Sequence, residues 1–179
     1  MWAFSDESER AGLSLLGVVM VEPKQVDAAR LAMRRLLLGG ERSLHMAKES
    51  DRRRRQILDV IARSDGLEAV VLRHRRPQGV DRVAARVALI EAATNLVVER
   101  AVTIWTLDNM HPVERARDRN IIGHTLRRTD PAIPVAFDHR PSRSEPLLWA
   151  ADAVCWAIGA GRDWPRRIQP VVTVINIGP

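Results

Sequence analysis

The 179-residue sequence contains a single cysteine, Cys155, so neither an intramolecular disulfide nor a cysteine-rich zinc site can form within it. Set between Val154 and Trp156, with no neighbouring cue for an activated thiol, Cys155 reads as a small core residue. No apolar run reaches the roughly eighteen residues that a membrane-spanning helix needs. Asp6, Glu7 and Glu9 stand where a signal peptide would carry basic and then apolar residues. A cytoplasmic location is the expectation from these two absences. The chain also lacks an internal repeat, a low-complexity linker and a composition shift that would mark a boundary. With 46% apolar content, residues 1–179 are expected to form one domain around one sizeable core.

Lysine is nearly missing, Lys24 and Lys48 being the only two, so arginine supplies almost all of the formal charge of +6. A pI near 11.0 is compatible with a polyanionic partner, because basic side chains neutralise phosphates and release counterions. Biased coding composition accounts for it equally well. The arginines nevertheless cluster, at Arg34-Arg35, Arg52 to Arg55, Arg73/Arg75/Arg76, Arg127-Arg128 and Arg166-Arg167. Planar guanidinium groups suit phosphate oxygens, and a surface groove for nucleic acid, RNA or DNA, can be lined in this way.

Strand and helix patterns alternate. Residues 1–5 and 13–21 read as strands, with the polar stretch 6–12 as the hairpin connection between them. Pro23 opens a helix that Gly39-Gly40 stops. A short segment around Ser43 to Met46 precedes an amphipathic helix over 50–64 with the arginine run on its first turns. A third strand over 67–74 leads to a long helix over 80–100. The continuous apolar run 101–107 reads as a strand buried on both faces, ending on Asp108. A helix over 112–127, a short strand over 133–137 ending on Asp138, a helix over 145–159 and an edge strand within 170–177 follow. This order predicts an α/β fold: a mixed sheet with helices on both faces, whose ligands gather at the carboxyl ends of its parallel strands.

Asp152 shares a helix face with Leu148, Trp149, Cys155 and Trp156, the most apolar stripe of its helix. A carboxylate facing a core is costly unless it is paired or holds a metal. Taken alone, a salt bridge to arginine or a loop cap would satisfy it. Asp6 ends the alternating set Trp2, Phe4, Asp6, and Asp108 ends the set Val102, Ile104, Thr106, Asp108. Either one alone is compatible with a turn residue or a helix N-cap. Together the three form a pattern of carboxylates drawn from the first strand, a central strand and the last helix. Hard oxygen ligands of this kind bind Mg2+ or Mn2+, and clusters of them build two-metal phosphoryl-transfer sites.

The stretches Phe4-Ser5-Asp6-Glu7-Ser8, Leu44-His45-Met46-Ala47-Lys48-Glu49, Leu107-Asp108-Asn109, Phe137-Asp138-His139-Arg140-Pro141-Ser142 and Pro146-Leu147-Leu148-Trp149-Ala150-Ala151-Asp152 resemble the ribonuclease-H-like family known as domain of unknown function 3800. The resemblance covers nearly the whole chain. Two positions depart from the family pattern: His139 follows Asp138 where serine is frequent, and Trp149 stands where glutamine is usual. The resemblance implies a divalent-metal-dependent nuclease that hydrolyses phosphodiester bonds by a two-metal mechanism, with Asp6, Asp108 and Asp152 as metal ligands. Asp138 or Glu7 can complete the shell. A fourth carboxylate from the helix after the third strand points to Glu91 ahead of Glu99. His45, which titrates near neutrality, can relay a proton or touch phosphate, or simply satisfy a loop. The rival reading is a non-catalytic binding or adaptor module that keeps the fold, in which Trp2, Trp105, Trp149, Trp156 and Trp164 pack or meet a partner. An enzyme acting on a small phosphorylated compound is a third.

Overall fold

The computed structural model describes residues 1–10, 12–76, 81–109 and 111–178. Its first two strands, β1 (Trp2–Arg10) and β2 (Leu13–Val21), pair antiparallel from Trp2 opposite Val21 to Arg10 opposite Leu13. The acidic stretch that begins at Asp6 is thus strand, not hairpin connection. Leu13 to Gly17 of β2 offer it a continuous ladder, and backbone pairing outweighs the poor strand propensity of Asp and Glu.

Five helices and four more strands follow in the order α1 (Val26–Arg34), α2 (Asp51–Ala62), β3 (Leu67–Arg75), α3 (Arg82–Glu99), β4 (Ile104–Asp108), α4 (Pro112–Thr129), β5 (Ala136–Arg140), α5 (Pro146–Ala160) and β6 (Val172–Asn176). The six-stranded sheet has the order β5-β4-β1-β2-β3-β6. Pairing is antiparallel on both sides of β2 and parallel elsewhere, which is the mixed sheet that the alternation of elements predicts. The first helix stops five residues short of Gly39, because Leu36 and Leu37 close tight turns onto Met33 and Arg34 and Leu36 is drawn into the core. Ala101 adopts a left-handed φ of 50° and delays the start of β4 to Ile104. Pro146 opens α5, where its missing N–H costs nothing.

Strand alternation divides the interior into two layers. Phe4, Leu15, Val19 and Val71 face α1, α2 and α5. Ala3, Leu16, Val18 and Trp105 face the opposite way, toward α3 and α4. The middle strand β2 is buried along nearly its whole length, and each fully buried aliphatic side chain there contributes about 1.5–3 kcal/mol. Helix α5 lies against β1 and β2 with residues from Pro146 to Ala157 buried on almost every side. Its docking brings Asp152 toward the middle of β1.

Candidate metal centre

The two acidic residues at the middle of β1 lie on opposite faces of the sheet. Asp6 continues the Phe4 face, covered by α5, while Glu7 continues the Ala3 face, covered by α3 and α4. Pairing of β1 with β4 runs only to Ser5 opposite Leu107, so Asp6 and Asp108 sit side by side where the two strands part. Asp108 lies two residues beyond Thr106, the partner of Phe4, and therefore on the Asp6 face.

Asp152 arrives from α5 because Gly17, the cross-strand partner of Asp6, leaves room for the helix. A Cβ at Gly17 would stand 2.9 Å from the Ala151 carbonyl oxygen and 2.9 Å from Cys155 Sγ. The Cys155 thiol donates to the Asp6 carbonyl oxygen at 3.5 Å, which accounts for its burial as a core residue.

Backbone amides, rather than cations, hold the three carboxylates. The Glu7 N–H donates to Asp6 Oδ1 at 2.7 Å and the Met46 N–H to Asp152 Oδ2 at 2.9 Å. The amides of Asn109 and Ser142 support Asp108. Among the described residues, none of the three is in an ion pair. Burial pushes the Asp6 carboxyl well above the ordinary aspartate value, and the charges of Asp152 and Asp108 push it further. Burial also raises Asp108, against its backbone hydrogen bonds and the charge of His45. Asp152 is raised in the same way, against the Met46 amide and His45.

A donor set of carboxylate oxygens that repel one another fits a hard divalent cation such as Mg2+ or Mn2+, which would remove the repulsion. Among the described residues no group of three histidine, cysteine or acidic side chains already stands in a metal-holding arrangement. The three aspartates therefore converge as neighbouring charges and not as a finished coordination shell.

His45 is exposed, one residue before Met46, with Nε2 at 3.4 Å from Ser43 Oγ. Asp138 is not at a strand end. It lies mid-strand opposite Thr106, caps the His139 amide at 2.8 Å and faces Arg119 at 3.9 Å, with 60% of its side chain exposed. Glu7 forms an ion pair with Arg86 on the far face; burial outweighs that attraction and pushes its carboxyl up to about 7. Arg86 also makes a fork to Asp118, with Nη2 at 2.8 Å and Nε at 3.2 Å. His139 Nε2 lies 3.1 Å from the same carboxylate. This quartet of half-buried Glu7 with buried Arg86, Asp118 and His139 escapes the sequence reading, although Asp118, Ile122 and Thr125 fall on one buried helical stripe and could have signalled it. Glu91 lies on α3, the helix that packs against the Glu7 face of the sheet and not the Asp6 face. It follows Arg86 by five residues, which places it about 140° around α3 and about 7.5 Å along the axis. Arg86 is the α3 residue that meets the acids of β1.

No family model matches the chain, and no curated protein does either. Among solved structures, a chain in the structure of the PCNA:RNase HII complex from Archaeoglobus fulgidus is similar over 87% of this chain and 70% of its own length, with 20% sequence identity and a TM-score of 0.52. At that identity the similarity concerns the fold, and the chain has a ribonuclease-H-like α/β fold.

Proposed function

We propose that the protein is a divalent-metal-dependent nuclease, a member of the domain of unknown function 3800 family, that hydrolyses phosphodiester bonds at Asp6, Asp108 and Asp152. The observation that carries this reading is the convergence of three carboxylates from β1, β4 and α5, with no lysine or arginine paired to them among the described residues. The ribonuclease-H-like fold supports it. When bound, Mg2+ or Mn2+ supplies Lewis-acid activation of water and neutralises charge on the leaving oxygen.

The chain's own residues supply the positioning. The Glu7 and Met46 amides each occupy one oxygen of Asp6 and Asp152, fixing the rotamers and leaving the second oxygens for a cation. On this reading His45, whose charge acts on Asp108 and Asp152, moves a proton at the scissile phosphate. Asp138, on the same face but exposed, is available to a substrate phosphate only through a cation or water, since its charge would repel phosphate directly.

A second reading, a non-catalytic module that binds nucleic acid, is favoured by the unfinished coordination geometry. Cleavage assays on single-stranded, duplex, hybrid and branched substrates with Mg2+ or Mn2+ separate the two. The nuclease reading expects cleavage that needs the metal and disappears in Asp6→Asn. Binding without cleavage across all four substrates, or cleavage that survives Asp6→Asn, overturns it.

A further inference from the structure

The arginine run at the start of α2 splits by helix geometry. Arg53 and Arg54 turn inward. Arg53 donates to the Leu36 carbonyl, and Arg54 donates to the Met46 and Ala47 carbonyl oxygens at 3.0 and 3.1 Å and covers the Trp156 ring at 4.5 Å. Arg52 and Arg55 point away and are exposed. They line an open cavity of ≈ 670 Å³ between α1 and α2, together with Asp59 and Arg63 and with Ala28 and Ala32 of α1.

Positions 52, 55, 59 and 63 form one stripe, because their spacings of three and four residues return to the same side of a helix. Arg52 and Arg63 are about 16 Å apart along the α2 axis. Asp59 is neutralised by Arg167 at 2.9 Å, whereas Arg52, Arg55 and Arg63 are in no ion pair among the described residues. The groove therefore presents three unpaired guanidinium groups and a single unpaired carboxylate, Asp65, over a floor of small apolar side chains. A second cavity of ≈ 290 Å³ shares Arg55 and adds Arg162 and Trp164, extending the basic band.

We propose that this groove is a docking site for a single strand of nucleic acid, bound through its phosphates. Guanidinium forks match phosphate oxygens, and the alanines let the strand approach the helix closely. The identity of the strand as substrate rests on the nuclease reading above, while strand binding itself does not.

The test is fluorescence anisotropy of labelled single-stranded DNA and RNA oligonucleotides with the full chain in EDTA, titrated with salt. Each lost single-strand phosphate contact lowers the slope of log K against log salt by about 0.7. Arg55→Gln/Arg63→Gln is therefore expected to lower it by about 1.4. Arg127→Gln/Arg128→Gln removes the same charge from the exposed end of α4 and is expected to leave the slope unchanged. Equal slopes in the two variants overturn the proposal, as does displacement of the strand by a mononucleotide at equal phosphate concentration, which marks a small-anion site. Metal-dependent cleavage in parallel keeps the two readings apart. A parent chain that shows no metal-dependent cleavage but keeps slope-sensitive binding sinks only the nuclease, and intact cleavage with equal slopes sinks only the groove.

Discussion

Two acidic groups lie back to back across the sheet, and they are satisfied in opposite ways. On the α3 and α4 face, Glu7 and Asp118 are buried together with Arg86, and His139 hydrogen-bonds Asp118. On the α5 face, Asp6, Asp108 and Asp152 have backbone amides, one another and the charge of the exposed His45, with no ion pair among the described residues. Glu145 shows how this fold handles a lone buried carboxylate: Arg30 grips it with Nη2 at 2.6 Å. Arginine is abundant in this chain, yet among the described residues none pairs with the Asp6 cluster. A buried charge left without a partner destabilises the fold, so the Asp6 side is left to take up protons or, on the proposed reading, a cation, while the Glu7 side is paired by the fold itself.

The sharpest way to break that comparison is to neutralise one acid on each face. Asp6→Asn keeps an oxygen for the Glu7 amide but removes a cation ligand. It is expected to lower metal-dependent cleavage by roughly 10³-fold, about 4 kcal/mol of barrier, with the fold intact by circular dichroism. Arg86→Met is the scaffold counterpart. It strands Glu7, Asp118 and His139 without a cation and is expected to cost about 3–5 kcal/mol of stability in urea denaturation. If Arg86→Met left stability unchanged and Asp6→Asn unfolded the chain, the roles assigned to the two faces would be reversed.

Between the faces stands Gly17. Gly17→Ala is expected to cost about 1–3 kcal/mol through overpacking, since the new Cβ meets backbone at Ala151 and not just a flexible side chain. Cleavage is expected to fall more than in an equally destabilised core variant such as Ile61→Val. An equal fall in both would detach Gly17 from the placement of Asp152.

These positions also show what the sequence could disclose. Alternation along a strand and the 3.6-residue helical turn are local properties, so the placement of Asp6 with Phe4, that of Asp108 with Thr106 and the apolar stripe around Asp152 are readable from spacing alone, whereas the common face of the two strands comes from their pairing. The extension of β1 through Asp6 to Arg10 depends on the ladder offered by β2, a pairing that no local pattern reveals. Arg86 looks like any charged residue on a helix until α4 supplies Asp118. Glu91 has the right side chain on the right helix, but its distance along the axis is set by where α3 begins, and Arg86 already holds the place nearest Glu7. The split of Arg52 to Arg55 into anchors and exposed groups follows from helix rotation, whereas the carbonyls that capture Arg53 and Arg54 come from loops whose path is tertiary.

The smallest expected effect concerns proton binding at the Asp6 face. Asp6, Asp108 and Asp152 all have carboxyls raised above their ordinary value of 3.8, so each binds its proton more tightly in the folded chain than in the unfolded one. A group of this kind contributes stability that is fully present below its unfolded value and lost as pH rises through its folded value. In metal-free buffer, Asp152→Asn, which keeps an acceptor for the Met46 amide, is therefore expected to be indistinguishable from the parent at acid pH. It should become more stable than the parent by about 1 kcal/mol at neutral pH. Adding Mn2+ at neutral pH is expected to reverse the order, because the parent gains a ligand that the variant holds less tightly. Arg86→Met, measured alongside, should show no Mn2+ dependence in its deficit relative to the parent. A parent-to-variant gap at Asp152 that stays flat with pH and is untouched by Mn2+ would mean that the three aspartates do not share a charge problem, and the distinction between the two faces would lose its physical basis.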